Sequence, residues 1–573
     1  MLTDQKGCKL ASLRLQPLLQ LPLLREWSMP FLPKADIVLT NGRVFRGISE
    51  PVTEAIALWA GQVLAAGSSA DMEPLIGPST RVIDLAGRLA TPGLCDSHMH
   101  LLPYGVIMGH VDVRASSTPT LAALLDKVRQ RASITPPGQW IQGRGYDQFE
   151  LDVGRHPLRE ELDAAAPDHP VAIVRACGHV TICNSKALEL AGIDETTPVP
   201  QGGAIEQHNG RLTGLLAETG RDRLKAVLPE PTDRELVQAI DDAGRACLSY
   251  GITSVMDAGV GMRAGYREVA AYRTAQRLGR LPVRTTQCLL GGPGGIVEQA
   301  YADGVVTGVG DAMLRVGPVK IFTDGSAGGR TAAMSEPYVG EPKTTGLMLL
   351  HDNEMNDLVH DYHAKGYQLA VHAIGDAAIE QTLNAFERAL DAMPDPNRRH
   401  RIEHAGYARA DQNARMKRLG VQPVPQPVFI YDFGDLYISV VGEKRAKPSY
   451  PLKTWIDLGF KPAAGSDAPV CDINPFPNFF SMLTRKTSHG TIMDEREAVS
   501  IAQAITAFTE FGAYVNKAEH EWGRLVPGLA ADVAVFSRDL LTASPEEILH
   551  DTRCDLTIRG GEIVFDRHGE AAR

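Results

Sequence analysis

Short runs of β-branched and apolar residues, separated by turn residues, open the chain. Residues 36–40, 43–45, 55–59, 62–66 and 81–85 have this character, the pattern of strands. The pair Asn41-Gly42 and the single Gly61 fall between them as hairpin turns. The far end repeats the pattern. Residues 532–536 read as one strand, and 556–559 and 562–566 flank Gly560-Gly561 as a hairpin. Half-sheets of this size are marginal alone. The two ends, 35–90 and 526–573, are therefore expected to close one small β-sandwich.

Between the ends, strand-like cores alternate with amphipathic stretches. Eight candidate strands centre on residues 94–96, 254–257, 284–288, 319–322, 369–371, 401–403, 421–425 and 462–464. The clearest helix, 377–390, places Ile379, Leu383, Phe386 and Leu390 on one face. Eight βα units predict an α/β fold, a (β/α)8 TIM barrel over residues 91–525. About 150 residues separate the first strand from the second, too many for a structureless loop. Residues 111–231 are read as a subdomain inserted after the first barrel strand, over the barrel mouth.

Composition narrows the function classes. The 573 residues exceed one compact core, and 44% hydrophobic with 22% charged residues is ordinary for a globular chain. A net charge of −11 argues against nucleic acid or an anionic membrane as partner. No apolar run reaches the roughly 18 residues of a membrane span. A small molecule held in a pocket remains the expected partner, and a homo-oligomer stays open. Eight cysteines without a C-x-x-C pair do not form a disulfide framework, which points to a reducing, cytoplasmic setting. Residues 1–34 read as a disordered extension or a mis-set start. The apolar run Leu15 to Leu24 is broken by Pro17, Gln20 and Pro22, and Met29 stands just before the first strand.

The candidate chemistry sits at strand ends. In Asp96-Ser97-His98-Met99-His100, alternation places both imidazoles on one face, able to grip one metal ion. Lys320 lies inside the apolar stretch Pro318 to Phe322. A buried lysine is costly as a cation. It either pairs with a carboxylate such as Asp324 or, as a neutral amine, adds carbon dioxide to become an anionic carbamate. His372 and His404 each end an apolar strand, and Asp467 follows the last one. Taken singly, each has a structural reading: a hydrogen-bonded histidine, or an aspartate capping a helix. Together, six such groups at the strand ends of a barrel, where catalytic residues collect, make one metal site the economical reading.

These residues carry a resemblance. The order H-x-H, strand lysine, histidine, histidine, aspartate resembles the amidohydrolase superfamily. Gly317–Ser326 (GPVKIFTDGS), Arg330–Met334 (RTAAM), Val371–Asp376 (VHAIGD), Arg401–Gly406 (RIEHAG) and Pro527–Asp532 (PGLAAD) resemble its amidohydrolase 3 branch, which includes N-substituted formamide deformylases. The resemblance implies a divalent metal, zinc being expected, as one or two ions. His98 and His100 would hold the first with Asp467, His372 and His404 the second, and carbamylated Lys320 would bridge them. It implies cleavage of an amide-type C–N bond, N-formyl or N-acyl, by a metal-bound hydroxide. Asp467 would serve as general base and then general acid. His179, Arg330, Thr331 and Gln426 are weaker candidates for substrate contact.

Two other readings compete. A deaminase of a nitrogen heterocycle typically has a glutamate soon after the fifth-strand histidine and no strand lysine, whereas this chain has Asp376 and Lys320. A non-catalytic barrel predicts a broken ligand set, and none of the six positions is missing.

Overall fold

The computed structural model describes residues 33–114, 117–176, 178–395, 397–569. The expected N-terminal extension therefore lies almost wholly outside the described residues.

Seven parallel strands form the central sheet. They are β1 (Leu94–Met99), β2 (Ile252–Val260), β3 (Arg284–Leu290), β4 (Leu314–Phe322), β5 (Leu369–Ala373), β6 (Arg401–His404) and β7 (Gln422–Val424). Each neighbours the next in chain order. The strands are buried along nearly their whole length, as expected when helices cover a parallel sheet. The result is a TIM-like α/β fold.

The eighth predicted strand, 462–464, is not a strand. Pro462 has no amide to donate, and the Ala464 amide is spent on Ala507 O at 3.0 Å. The segment nevertheless fills the gap between β7 and β1. Gly465 N donates to Pro425 O at 3.2 Å, and Ser97 N donates to Ala464 O at 3.0 Å.

Three helices matter for the site. Helix α1 (Leu101–Met108) starts from His100, α2 (Asp376–Ala392) follows β5, and α3 (Val428–Val441) follows β7. In α2 the predicted face packs inward: Ile379, Leu383 and Phe386 are buried and Leu390 is half-buried.

The interval between β1 and β2 folds into its own sheet. Six strands, from Val111–Asp112 to Arg211–Glu218, pair there. They enclose an apolar cluster that includes Leu124, Ile141, Leu162, Ile173 and Ile182, separate from the barrel core.

The chain ends meet in two small sheets. Strand Val533–Phe536 pairs antiparallel with Leu89–Pro92, so the C-terminus completes a sheet begun near residue 43. Leu39, Ile56, Val533, Val535 and Ile558 share one apolar cluster across both sheets. The expected hairpin at Asn41-Gly42 does not form. Ile37–Thr40 pairs with Ala55–Trp59 and Arg81–Asp84, while Arg43–Val44 joins the other sheet. Turn chemistry at Asn41, with φ of 54°, is present but redirects the chain between sheets. The turns at Gly61 and Gly560-Gly561 do close antiparallel pairs.

Candidate metal centre

His98 is the penultimate residue of β1 and His100 caps α1, so strand alternation turns both rings inward. Asp467 reaches them from the closing segment. Its Oδ1 lies 3.2 Å from His100 Nε2 and 3.4 Å from His98 Nε2. The ligating atoms of these three residues all lie within 4.8 Å of one another. Lys320, on β4, is 1% exposed. Its Nζ stands 3.4 Å from His98 Nε2. The His404 ring is 4.9 Å from that of His98 and 4.5 Å from that of His372. The structure thus brings all six sequence candidates to one end of the barrel.

Close approach and strain hold this arrangement. A Cβ on Gly465 would sit 2.6 Å from His98 N, so only glycine lets the closing segment lie against β1. His404, Ala405 and Asp467 adopt φ of 71°, 49° and 56°. Left-handed backbone at non-glycine residues costs on the order of 1–3 kcal/mol each and gathers at functional sites. Here Asp467 N is fixed to His98 O at 2.8 Å and Ala405 N to Ala373 O at 3.1 Å.

Three rings are anchored from behind through Nδ1. His98 Nδ1 meets Glu403. His372 Nδ1 lies 3.0 Å from Asp324 Oδ1, and His404 Nδ1 lies 2.5 Å from Gln426 Oε1. Such partners fix the tautomer and leave Nε2 as the free lone pair. Asp324 also accepts the amides of Ala333, Ile374 and Gly375 at 3.0, 3.1 and 2.8 Å. It is therefore bound to the His372 ring and the following loop, and the alternative pairing with Lys320 does not occur. Glu403 was not anticipated. An arginine and a glutamate alternating inside the apolar strand Arg401-Ile402-Glu403 were the available signal for a buried ion pair.

Burial sets the protonation of these groups. Burial, then the Lys320 ammonium, pushes the His98 pKa down, and burial followed by His372 and His98 holds His404 well below the usual histidine range. Both rings are thereby kept neutral, as ligands must be. Burial likewise lowers Lys320. For Asp467, burial opposes ionisation, but the adjacent His100 and His98 rings outweigh it and hold the carboxyl well below the usual range.

These groups open into a cavity of about 1080 Å³. His179 lines it from the inserted sheet, with its Nδ1 3.1 Å from Glu218. Gln426 is fully buried behind His404 and lies outside the cavity lining. Arg330 pairs with Glu341, and Thr331 Oγ1 accepts the Ser326 amide at 2.9 Å. Neither lines the cavity, whereas Ser326, Gly328 and Gly329 of the same loop do.

Several known proteins are similar to this chain. YtcJ of Bacillus subtilis is 31% identical over 527 residues, covering 90% of this chain and 96% of YtcJ. The N-substituted formamide deformylase of Arthrobacter pascens is 28% identical over 546 residues, covering 93% of this chain and 99% of that enzyme. Among solved structures, an uncharacterized metal-dependent hydrolase from Pyrococcus horikoshii superposes with a TM-score of 0.74 at 28% identity, covering 89% of this chain and 99% of the other. The sequence pattern of the amidohydrolase family matches residues 81–565, and the chain belongs to that family of metal-dependent hydrolases.

Proposed function

We propose that the protein hydrolyses an amide-type C–N bond of a small N-formyl or N-acyl amine, using one or two zinc ions. The observation that carries this reading is the meeting of His98, His100 and Asp467 within 4.8 Å, with Lys320, His372 and His404 beside them. Neutral imidazoles with a carboxylate suit a borderline divalent cation. His98, His100 and Asp467 would hold one ion and His372 and His404 a second. Lys320 would serve both after its neutral amine adds carbon dioxide and releases a proton, becoming a carbamate. A bound ion acts as a Lewis acid and brings the pKa of water from 15.7 to about 7.

The chain supplies the proton handling. Asp467 is ionised and faces the cavity, so its Oδ1 can take a proton from the attacking water. It can then deliver that proton to the leaving nitrogen, without which an amine departs poorly. The likeness to the Arthrobacter deformylase supports amide substrates over heterocycle deamination. Asp376, which follows the fifth-strand histidine by four residues, is engaged with Ser335 and Arg409.

Among the described residues six cysteines are buried and free, which supports a reducing, cytoplasmic setting. No helix of the described residues is long and apolar enough to cross a membrane. The test is metal analysis of the purified protein followed by a panel of N-formyl and N-acyl amines scored for amine and for ammonia. Stoichiometric metal with amine release supports the reading. Ammonia release alone, or no metal, rejects it.

A further inference from the structure

Helix α3 carries a second pattern beside the metal centre. Phe429, Asp432, Phe433, Leu436 and Tyr437 all line the cavity. Their i, i+3, i+4, i+7, i+8 spacing is one face of a helix. The aromatic members form a ladder that begins on His404. The Phe429 ring lies over the His404 imidazole with centroids 5.8 Å apart and planes 12° apart. Phe433 follows at 5.4 Å from Phe429, and Tyr437 at 6.2 Å from Phe433. Eight residues of helix rise about 12 Å, so the wall runs that far from the centre.

Core packing accounts for only part of this face. Phe429 and Tyr437 also pack into a buried cluster with Tyr450, but Leu436 is 43% exposed. Asp112, Arg114, Arg144 and Asp472 also line the cavity, but apolar residues stand open beside them. Met108, Met262 and Val470, from three other segments, are 43%, 46% and 55% exposed and line the same cavity. Large apolar side chains left open to water and converging on one cleft mark a binding surface. Asp432 is the one acid on the α3 face. Burial, with help from Asp472, pushes its carboxyl up, which weakens it as a counter-charge.

We infer that the α3 face selects amides bearing an extended apolar substituent, laid along Phe429, Phe433 and Leu436 from the metal centre to the rim. This rests on the amide-hydrolase reading above. The substituent does not react. Its burial supplies binding energy that holds the amide carbonyl at the reacting end.

The test uses the metal-loaded enzyme with N-methyl-, N-butyl- and N-hexylformamide, and N-(6-aminohexyl)formamide as a charged control. Binding is measured by calorimetry and turnover by amine release. Affinity, and kcat/KM where turnover occurs, should rise about two- to fourfold per methylene. That is at least about thirtyfold from methyl to hexyl, with the charged analogue losing most of the gain. Leu436→Asn and Val470→Asn, both at solvent-open positions, should flatten the series, with folding checked by circular dichroism. A flat series in the parent enzyme, or an unchanged slope in both variants, overturns the inference. Tighter hexyl binding without hydrolysis rejects the amide-hydrolase reading and leaves the apolar wall standing. Hydrolysis of all chain lengths at equal efficiency does the reverse, and absence of binding by every probe also overturns the inference.

Discussion

Arg401 grips Glu403 from within the same strand, with Nε 2.6 Å from one carboxylate oxygen and Nη2 2.9 Å from the other. Both side chains are fully buried, and Arg401 Nη2 also donates to Ser97 O at 2.7 Å. Glu403 in turn holds His98 Nδ1. Burial opposes ionisation of Glu403, but Arg401 and His98 hold its carboxyl well below the usual range. Glu403, fixed by Arg401, therefore acts as an anionic backstop for one ring of the candidate metal centre. Glu403→Gln keeps the shape and removes the charge, so metal affinity should fall about 10- to 100-fold. Chelator competition measures this, and unchanged affinity would show that Glu403 only fills space. Arg401→Met strands a buried carboxylate and should cost about 3–5 kcal/mol in urea unfolding.

Lys320 carries the second prediction. Its Nζ is buried 3.4 Å from His98 Nε2, and burial disfavours an ammonium ion. Lys320→Ala should lose bound metal and at least about a hundredfold in activity. Short carboxylic acids should restore part of both by occupying the space of the carbamate. Full metal occupancy without any rescue would count against a bridging carbamate.

The candidate metal site was readable because its proposed ligands sit where strand patterns end. His98, His372 and His404 each follow an apolar run, and Asp467 follows a segment that was legible as strand-like even though Pro462 keeps it out of the ladder. What escaped reading was the support behind the ligands. Glu403 and Gln426 act on rings contributed by other segments of the chain, and single-strand patterns carry no such pairing. The α3 face was present in the sequence as Phe429, Phe433 and Tyr437 at helical spacing. Periodicity alone marks an apolar face without saying whether it meets core or cavity. The Asn41-Gly42 turn shows the same limit, because turn chemistry is local while the choice of sheet is tertiary.

Asp467 is the group assigned to move the proton. Asp467→Asn removes the basic oxygen while keeping nearly the same volume, and the Asp467 N to His98 O bond at 2.8 Å belongs to the backbone. The fold should persist, and kcat should fall by about 10²- to 10⁴-fold. Steady-state turnover beside metal content separates lost proton transfer from lost metal. Unchanged turnover would remove Asp467 as the general base.

The last prediction concerns acid stability at the opposite end of the barrel. His363 Nδ1 lies 3.0 Å from His400 Nε2, and both residues are 2% exposed. The surrounding bonds fix the protons. The Leu369 amide donates to His400 Nδ1 at 3.0 Å, so His400 carries its proton on Nε2 and donates to His363. His363 Nε2 then donates to Met393 O at 2.8 Å. His400 cannot gain a proton on Nδ1 without breaking its bond from the Leu369 amide. Burial, reinforced by His363, accordingly holds the His400 pKa well below 6.5. A lowered folded-state pKa means that the unfolded chain binds the proton first, so stability is complete above 6.5 and falls as pH drops below it. The loss should reach up to about 1.4 kcal/mol per pH unit, read from urea midpoints between pH 7 and pH 5. His400→Asn can still accept the Leu369 amide but cannot titrate, so its midpoint should depend less on pH across that window. An equal slope in parent and variant would mean that His400 is not the group responsible.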